Sequence, residues 1–151
     1  MKVVVIGAAG HIGTYLIPLL VNAGYDTVAI TRKMTQPYED APAWHTVKRE
    51  LMDRVDAPDF MRKLKAMEPD VVVDLVNFDI NDTKKIVEGL KHTKLSHYLY
   101  CSSCWAHGRA ETIPFDPNDL RKDPLDDYGR DKFASEMYLK DQFRQNGWLV
   151  V

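Results

Sequence analysis

Along the chain, short unbroken apolar runs alternate with longer stretches whose apolar positions recur at helical spacing. Val3 to Ile6 is a β-branched run that stops at Gly7, and from Ile12 to Asn22 the apolar Ile12, Leu16, Leu19 and Leu20 fall on one helical face. Ala23-Gly24 closes that helix, and Thr27 to Thr31 reads as a second strand. A polar, proline-bearing loop from Arg32 to Trp44 leads to a short third strand at Thr46 to Lys48. Asp59 to Met67 reads as a helix, and Val71 to Val76 is the most strand-like run of the chain, of the kind found inside a parallel sheet. Asn81 to His92 is a helix begun by an Asn or Asp cap, Ser96 to Ser102 a fifth strand, and Gly108 to Pro124 a loop rich in proline and acid. Tyr128 to Gln145 is a helix closed by Asn146-Gly147, before a terminal apolar run from Trp148 to Val151. Strands alternating with helices at this spacing predict a doubly wound α/β domain, a parallel sheet covered on both faces. Ligands of such sheets bind beyond the carboxyl ends of the strands.

The first strand-to-helix turn, Gly7-Ala8-Ala9-Gly10-His11-Ile12-Gly13, carries glycines at its first, fourth and seventh positions. Gly7 permits the tight turn, Gly10 lets the backbone approach a pyrophosphate, and Gly13 lets the helix pack near the strand. The helix start then offers N–H groups to phosphates. Gly7, Ala9, Gly10, His11, Ile12 and Gly13 are therefore candidate dinucleotide contacts. The second strand ends in Thr31-Arg32-Lys33, where NAD-selective domains carry a carboxylate for the ribose hydroxyls. Two cations in its place favour NADP over NAD, with Thr31 and Arg32 as contacts.

Composition narrows the class. The 151 residues suit one domain, with 45% hydrophobic and 28% charged residues. Against 22 acidic residues stand 20 basic ones, without a block of like charge, so nucleic acid is not an expected partner. No stretch approaches the roughly 18 apolar residues that span a membrane, and a cytoplasmic protein is expected. The two cysteines, Cys101 and Cys104, end a strand-like run and have no further ligands nearby, so they read as small packing residues, not as a redox pair or a zinc site. No metal is expected.

The G-x-x-G-x-x-G form resembles that of the short-chain dehydrogenase/reductase superfamily, in its extended epimerase/dehydratase branch, and the resemblance runs through all 151 residues. It implies a Rossmann fold, an NAD or NADP cofactor, and hydride transfer at a secondary alcohol or ketone. Asp53 is similar to the family's aspartate that bonds the adenine amino group, and Asn77 falls where the family lines the cofactor's ribose. Tyr128-Gly129-Arg130-Asp131-Lys132 matches the family's Y-x-x-x-K, whose spacing puts phenol and ammonium on one helix face. A cation beside a phenol favours the phenolate, which makes proton transfer accessible. Both residues also contact the cofactor in the family. The run from Tyr100 to Gly108 resembles the strand-five signature, in which the hydroxyl five residues before the glycine completes the triad; that residue is Ser103, while Ser102 reads as a strand-end cap.

Four positions depart from the family. Cys104 and Trp105 stand where dehydratases have Asp-Glu, so sugar-nucleotide dehydration is not expected. His107 replaces a usual tyrosine, and Asp131 a small hydroxyl residue. Extended members build their substrate lobe largely from chain beyond the sixth strand, and this chain stops within that strand, so residues 1–151 are expected to be the nucleotide-binding domain of a longer enzyme. The expected partners are the dinucleotide, a small-molecule substrate for which a nucleotide sugar is the family's commonest choice, and a second copy in a homodimer. The alternative is a non-catalytic NAD(P)-binding sensor or regulatory protein. RNA binding, as in some plastid relatives, would predict a basic face that the charge balance does not provide.

Overall fold

The computed structural model describes residues 1–109, 114–116 and 122–147. The expected terminal strand, Trp148 to Val151, and parts of the Gly108 to Pro124 loop lie outside the described residues. Among the described residues five strands, β1 (Lys2–Ile6), β2 (Asp26–Thr31), β3 (Lys48–Leu51), β4 (Val71–Asp74) and β5 (His97–Tyr100), form one sheet in the order β3-β2-β1-β4-β5. Every pairing is parallel. The chain winds outward from β1 to β3, then returns to β1's other side with β4, so the winding reverses between β1 and β4. The carboxyl ends of those two strands are thus the place for a ligand.

Side-chain alternation along β1 divides the core. Val4 and Ile6 pack with Val28, Ile30, Val72 and Tyr98, and with Phe60 and Leu64 of α3 (Ala57–Ala66), Ile86, Val87 and Leu90 of α4 (Ile80–Leu90) and Leu139 of α5 (Asp127–Asn146). Val3 and Val5 face the other way, toward Ala29, Val73, Ile17 of α1 (His11–Asn22) and Trp44 of α2 (Ala43–Thr46). Each buried Val, Ile or Leu contributes about 1.5–3 kcal/mol relative to exposure, and the period of two fixes the register.

Boundaries moved where side chains have other work. The third strand begins at Lys48, beyond the expected Thr46, because Ala43–Thr46 turns into a short helix that buries Trp44. That burial answers a defect in α1. Pro18 lies within α1 and has no N–H to give the carbonyl of Thr14, four residues earlier; the Trp44 indole N–H donates to it instead, at 3.1 Å. Trp44→Phe should therefore cost about 1–3 kcal/mol, the price of a buried carbonyl left without a donor; urea unfolding with no change in midpoint would contradict this. β4 stops at Asp74, two residues early, since Asn77 turns inward, and β5 stops at Tyr100, since Ser103 starts a 3₁₀ turn at Cys104–Ala106. Asp79 caps α4 through the amides of Asn81 and Asp82, and Gly147, at φ 63°, ends α5 as its sequence suggests.

Candidate functional site

At the carboxyl edge of the sheet, between the β1, β2, β3 and β4 ends, lies a cleft of about 550 Å³. Gly7, Ala9 and Gly10 of the glycine turn line one part of it, Thr31, Arg32 and Asp53 another. Gly7 has φ +81°, and a Cβ there would stand 2.5 Å from the Val76 side chain. A Cβ at Gly13 would stand 2.1 Å from the Ala8 carbonyl oxygen, so the glycine does let α1 approach the turn. At Gly10 a Cβ would meet only the Gly7 carbonyl, at 3.2 Å, and no side chain caps the first turn of α1. An uncapped helix start beside a bare backbone fits a pyrophosphate.

The remaining candidates divide between cleft and interior. Thr31 is buried at the end of β2, and its Oγ1 has no hydrogen-bond partner among the described residues. Arg32 and Lys33 are exposed on the rim. Asp53 is exposed, with Oδ1 accepting from the Val55 amide at 3.0 Å. His11 and Ile12 are also exposed, but their side chains do not line the cleft; the His11 ring sits edge-on to Tyr15 and Tyr38. Their contribution to an anion would come from backbone N–H groups. Asn77, expected as a contact where the family lines the ribose with backbone and small side chains, does not line the cleft with its side chain. It is fully buried, its Nδ2 donates to Asp74 and Tyr98 at 3.2 Å, and its Oδ1 accepts from Thr83 at 3.1 Å.

Residues that sequence reasoning missed form the floor. Arg54 NH2 donates to both oxygens of Asp74, at 2.7 and 2.8 Å, and the Tyr98 hydroxyl donates to the same carboxylate at 2.8 Å. Asp74 is wholly buried. Burial opposes the Arg54 charge, but the bonded Asp74 carboxylate outweighs it and raises the guanidinium above its ordinary pKa. The Tyr98 phenol is held well above its ordinary value, by burial first and by Asp74 second. Phe78, Asp82 and Lys85 also line the cleft. One signal was available for this floor: an aspartate interrupts the most apolar run of the chain, and a buried charge requires a partner.

Beyond Phe78 the cleft runs toward the second group of candidates. Tyr128 is partly exposed in the first turn of α5, its ring 6.3 Å from that of Phe78. Lys132 is fully buried, with Nζ donating to the carbonyls of Asn77 at 2.6 Å and Cys101 at 2.7 Å. The ammonium thus joins the ends of β4 and β5 and faces the rings of Tyr100, Phe78 and Tyr128, at 4.8, 5.5 and 5.7 Å from their centroids. Burial lowers its pKa. Ser103 caps the 3₁₀ turn, its Oγ accepting from the Trp105 amide at 3.3 Å. That turn packs on α5 at Gly129, where a Cβ would stand 2.4 Å from the Trp105 carbonyl oxygen, so Ser103 and Tyr128 belong to two segments in direct contact.

Ser102 does more than end a strand. Its hydroxyl donates to Glu136, whose carboxylate also accepts from the buried Lys122 ammonium. Burial works against the Glu136 charge, yet the bonds from Lys122 and Ser102 leave its pKa below the usual value. Glu136 lies four residues beyond Lys132, on the helix face that carries Tyr128, so helical spacing could have found it. Ser102, Ser103, His107, Lys122, Glu136 and Phe143 help line a second cavity, of about 790 Å³. The His107 and Phe115 rings meet at a tilt of 46°, centroids 4.5 Å apart, and Asp131 accepts from the Ile80 amide at the start of α4. Cys104 is exposed, not packed as expected, and Cys101 is half-buried; both are free thiols. Among the described residues no helix is long and apolar enough to cross a membrane.

A parallel sheet, a glycine turn at its winding switch and a cleft over the strand ends define a Rossmann-type α/β domain. The chain matches the NAD dependent epimerase/dehydratase family over residues 3–151, and it belongs to that family. It is similar to a UDP-glucose 4-epimerase of Rhizobium leguminosarum bv. trifolii, at 24% identity over 92% of this chain and 46% of the relative. The chloroplast stem-loop binding protein of 41 kDa b from Arabidopsis thaliana is 26% identical over 99% of this chain and 40% of its own length. In fold it is similar to the Brucella ovis UDP-glucose 4-epimerase solved in complex with NAD, at TM-score 0.81 and 21% identity, covering 99% of this chain and 50% of that one. The chain spans about half the length, or less, of the curated relatives it matches.

Proposed function

We propose that this chain is the dinucleotide-binding part of an NAD(P)-dependent epimerase or oxidoreductase acting at a secondary alcohol or ketone, in the cytoplasm. A nucleotide sugar is the substrate class that the names of the epimerase relatives favour. The observation that carries the reading is the run from the glycine turn past Phe78 to Tyr128 and Lys132, which joins an anion-binding turn to a phenol and an ammonium along one edge of the sheet.

In this reading the N–H groups at the start of α1 hold the pyrophosphate, Asp53 accepts from the adenine amino group, and Arg32 with Lys33 receives a 2'-phosphate, which favours NADP. The bound dinucleotide supplies hydride transfer. The chain's own residues do the rest. Ser103 donates a hydrogen bond to the reacting oxygen of the substrate, and Tyr128 moves its proton. Lys132 keeps a positive charge near the phenol while it fixes the ends of β4 and β5. A non-catalytic dinucleotide sensor is the second reading, favoured by the commitment of Lys132 to two backbone carbonyls. Retention of both Tyr128 and Lys132 supports the enzyme.

The test is a titration of the purified chain with NADH and NADPH, followed by nicotinamide fluorescence. Saturable binding of both is expected, tighter for NADPH, and Arg32→Ala should remove that preference by roughly fivefold or more, the value of one charge-assisted contact to a phosphate. Binding of neither contradicts the reading.

A further inference from the structure

Asn77, Thr83 of α4 and Ser135 of α5 are fully buried polar residues with no part in the chemistry proposed above. They form a row. Thr83 Oγ1 lies 3.1 Å from Asn77 Oδ1, 2.9 Å from Ser135 Oγ and 3.4 Å from the Asp79 carbonyl oxygen. One hydroxyl proton cannot serve all three. The Asp79 carbonyl already receives the Thr83 amide, and an amide oxygen such as Asn77 Oδ1 can only accept. The Thr83 proton therefore goes to Asn77, and the Ser135 hydroxyl donates to Thr83 in turn.

The Asn77 side chain is thus held on three elements. Its Nδ2 donates to Asp74 of β4 and to the Tyr98 hydroxyl of β5, and its Oδ1 accepts from α4. A fixed side chain fixes the main chain that bears it, and the Asn77 carbonyl accepts from Lys132 Nζ at 2.6 Å. Ser135 follows Lys132 by three residues, one turn along the same face of α5. Asn77 is therefore tied to that helix twice, once by the ammonium and once through the two hydroxyls. Two ties one turn apart set where the ammonium stands, and with it the spacing from Lys132 to the Tyr128 ring, 5.7 Å from Nζ to centroid.

Resting on the reading of Lys132 as the cation beside the Tyr128 phenol, we propose that Thr83 is a positioning residue: its hydroxyl, backed by Ser135, holds Asn77, and the Asn77 carbonyl holds the Lys132 ammonium in place. Thr83→Val removes the hydroxyl and keeps the branched shape, while Thr83→Ser keeps the hydroxyl. The readout is the rate at which acetic anhydride acetylates individual lysines at one pH, followed by peptide mass spectrometry. Lys122, whose side chain is 1% exposed and paired with Glu136, lies outside the row and serves as the internal control. In Thr83→Val the Lys132 rate should rise by about tenfold or more, the worth of one hydrogen bond to a charged group, while Lys122 changes by less than about twofold. Thr83→Ser should leave both lysines within about twofold of the wild type, since the donor remains. An unchanged Lys132 rate in Thr83→Val overturns the proposal. So does an equal rise at both lysines, which makes Thr83 a packing residue whose loss loosens the whole domain. Should Thr83→Val not fold, Ser135→Ala decides: it breaks the second tie, so Lys132 should react about threefold faster or more with Lys122 unchanged, as expected for one lost neutral hydrogen bond. Absence of that selective rise overturns the proposal. A titration of the wild type with NADH keeps the two claims apart. If NADH does not bind while the lysines react as expected, the dinucleotide reading falls and the hold of Thr83 on Lys132 stands.

Discussion

On the proposed reading, in an enzyme that contains this chain, Tyr128→Phe is expected to lower kcat by at least about a hundredfold, the low end of what a positioned proton-transfer group supplies, while changing dinucleotide affinity by less than about twofold. The substitution removes one oxygen and nothing else. The ring keeps its place beside Phe78, 6.3 Å away, and the ring face toward the Lys132 ammonium. Because the residue is 38% exposed, the loss of its hydroxyl should change stability by less than about 0.5 kcal/mol. Turnover is assayed on a panel of nucleotide sugars and small ketones, and affinity by nicotinamide fluorescence. Retained turnover would remove Tyr128 from the proton path. A parallel loss of affinity would instead mark the residue as a binding group.

The largest effect on stability is expected at Asp74. Asp74→Ala takes the only hydrogen-bond acceptor from Arg54 NH2 among the described residues, one from the buried Tyr98 hydroxyl and one of two from Asn77 Nδ2. Breaking a buried ion pair from one side typically costs about 3–5 kcal/mol, because the surviving charge stays in the interior without a partner. That is a large part of an ordinary domain's stability. The double variant Arg54→Met with Asp74→Asn removes both charges and keeps an acceptor for Tyr98, so it should recover most of the loss. Urea unfolding of the three proteins decides this. A small cost in Asp74→Ala, or a double variant no more stable than it, would show that the pair is not what holds the floor of the cleft. The same carboxylate orients Asn77, whose carbonyl holds Lys132, so Asp74→Ala should also disturb the Tyr128 and Lys132 end of the site.

What could be read from the chain, and what could not, follows the range of each signal. The glycine turn, the β-branched runs and the Tyr128 and Lys132 spacing are written within a few residues, and each sits where local pattern put it. The helix stop at Gly147 was legible for the same reason, and the expected Asn or Asp cap of α4 is Asp79. The position of Asn77 beyond the fourth strand is written locally, but the direction of its side chain is not. Its inward turn depends on Asp74, Tyr98 and Thr83, three residues that meet only after β4 has paired with β5 and α4 has packed. Arg54 and Asp74 are 20 residues apart, and their pairing needs β3, β2, β1 and β4 in register. Trp44 looked like the end of a loop because its purpose, a donor for the carbonyl that Pro18 leaves unpaired, belongs to another element. The role of Ser102 is not local either, because its partner, Glu136, arrives from α5.

The central claim, that the cleft over β1 and β4 receives a dinucleotide along its length, is tested most directly by backbone amide NMR of the chain titrated with NADH. The predicted shifts fall on Gly7, Gly10, His11, Ile12 and Gly13 for the pyrophosphate and on Thr31, Arg32, Asp53 and Arg54 for the adenosine. A smaller set near Phe78 and Tyr128 should mark the nicotinamide. Shifts confined to the cavity lined by Ser103, Glu136 and Phe143, or no shifts at saturating NADH, would contradict it.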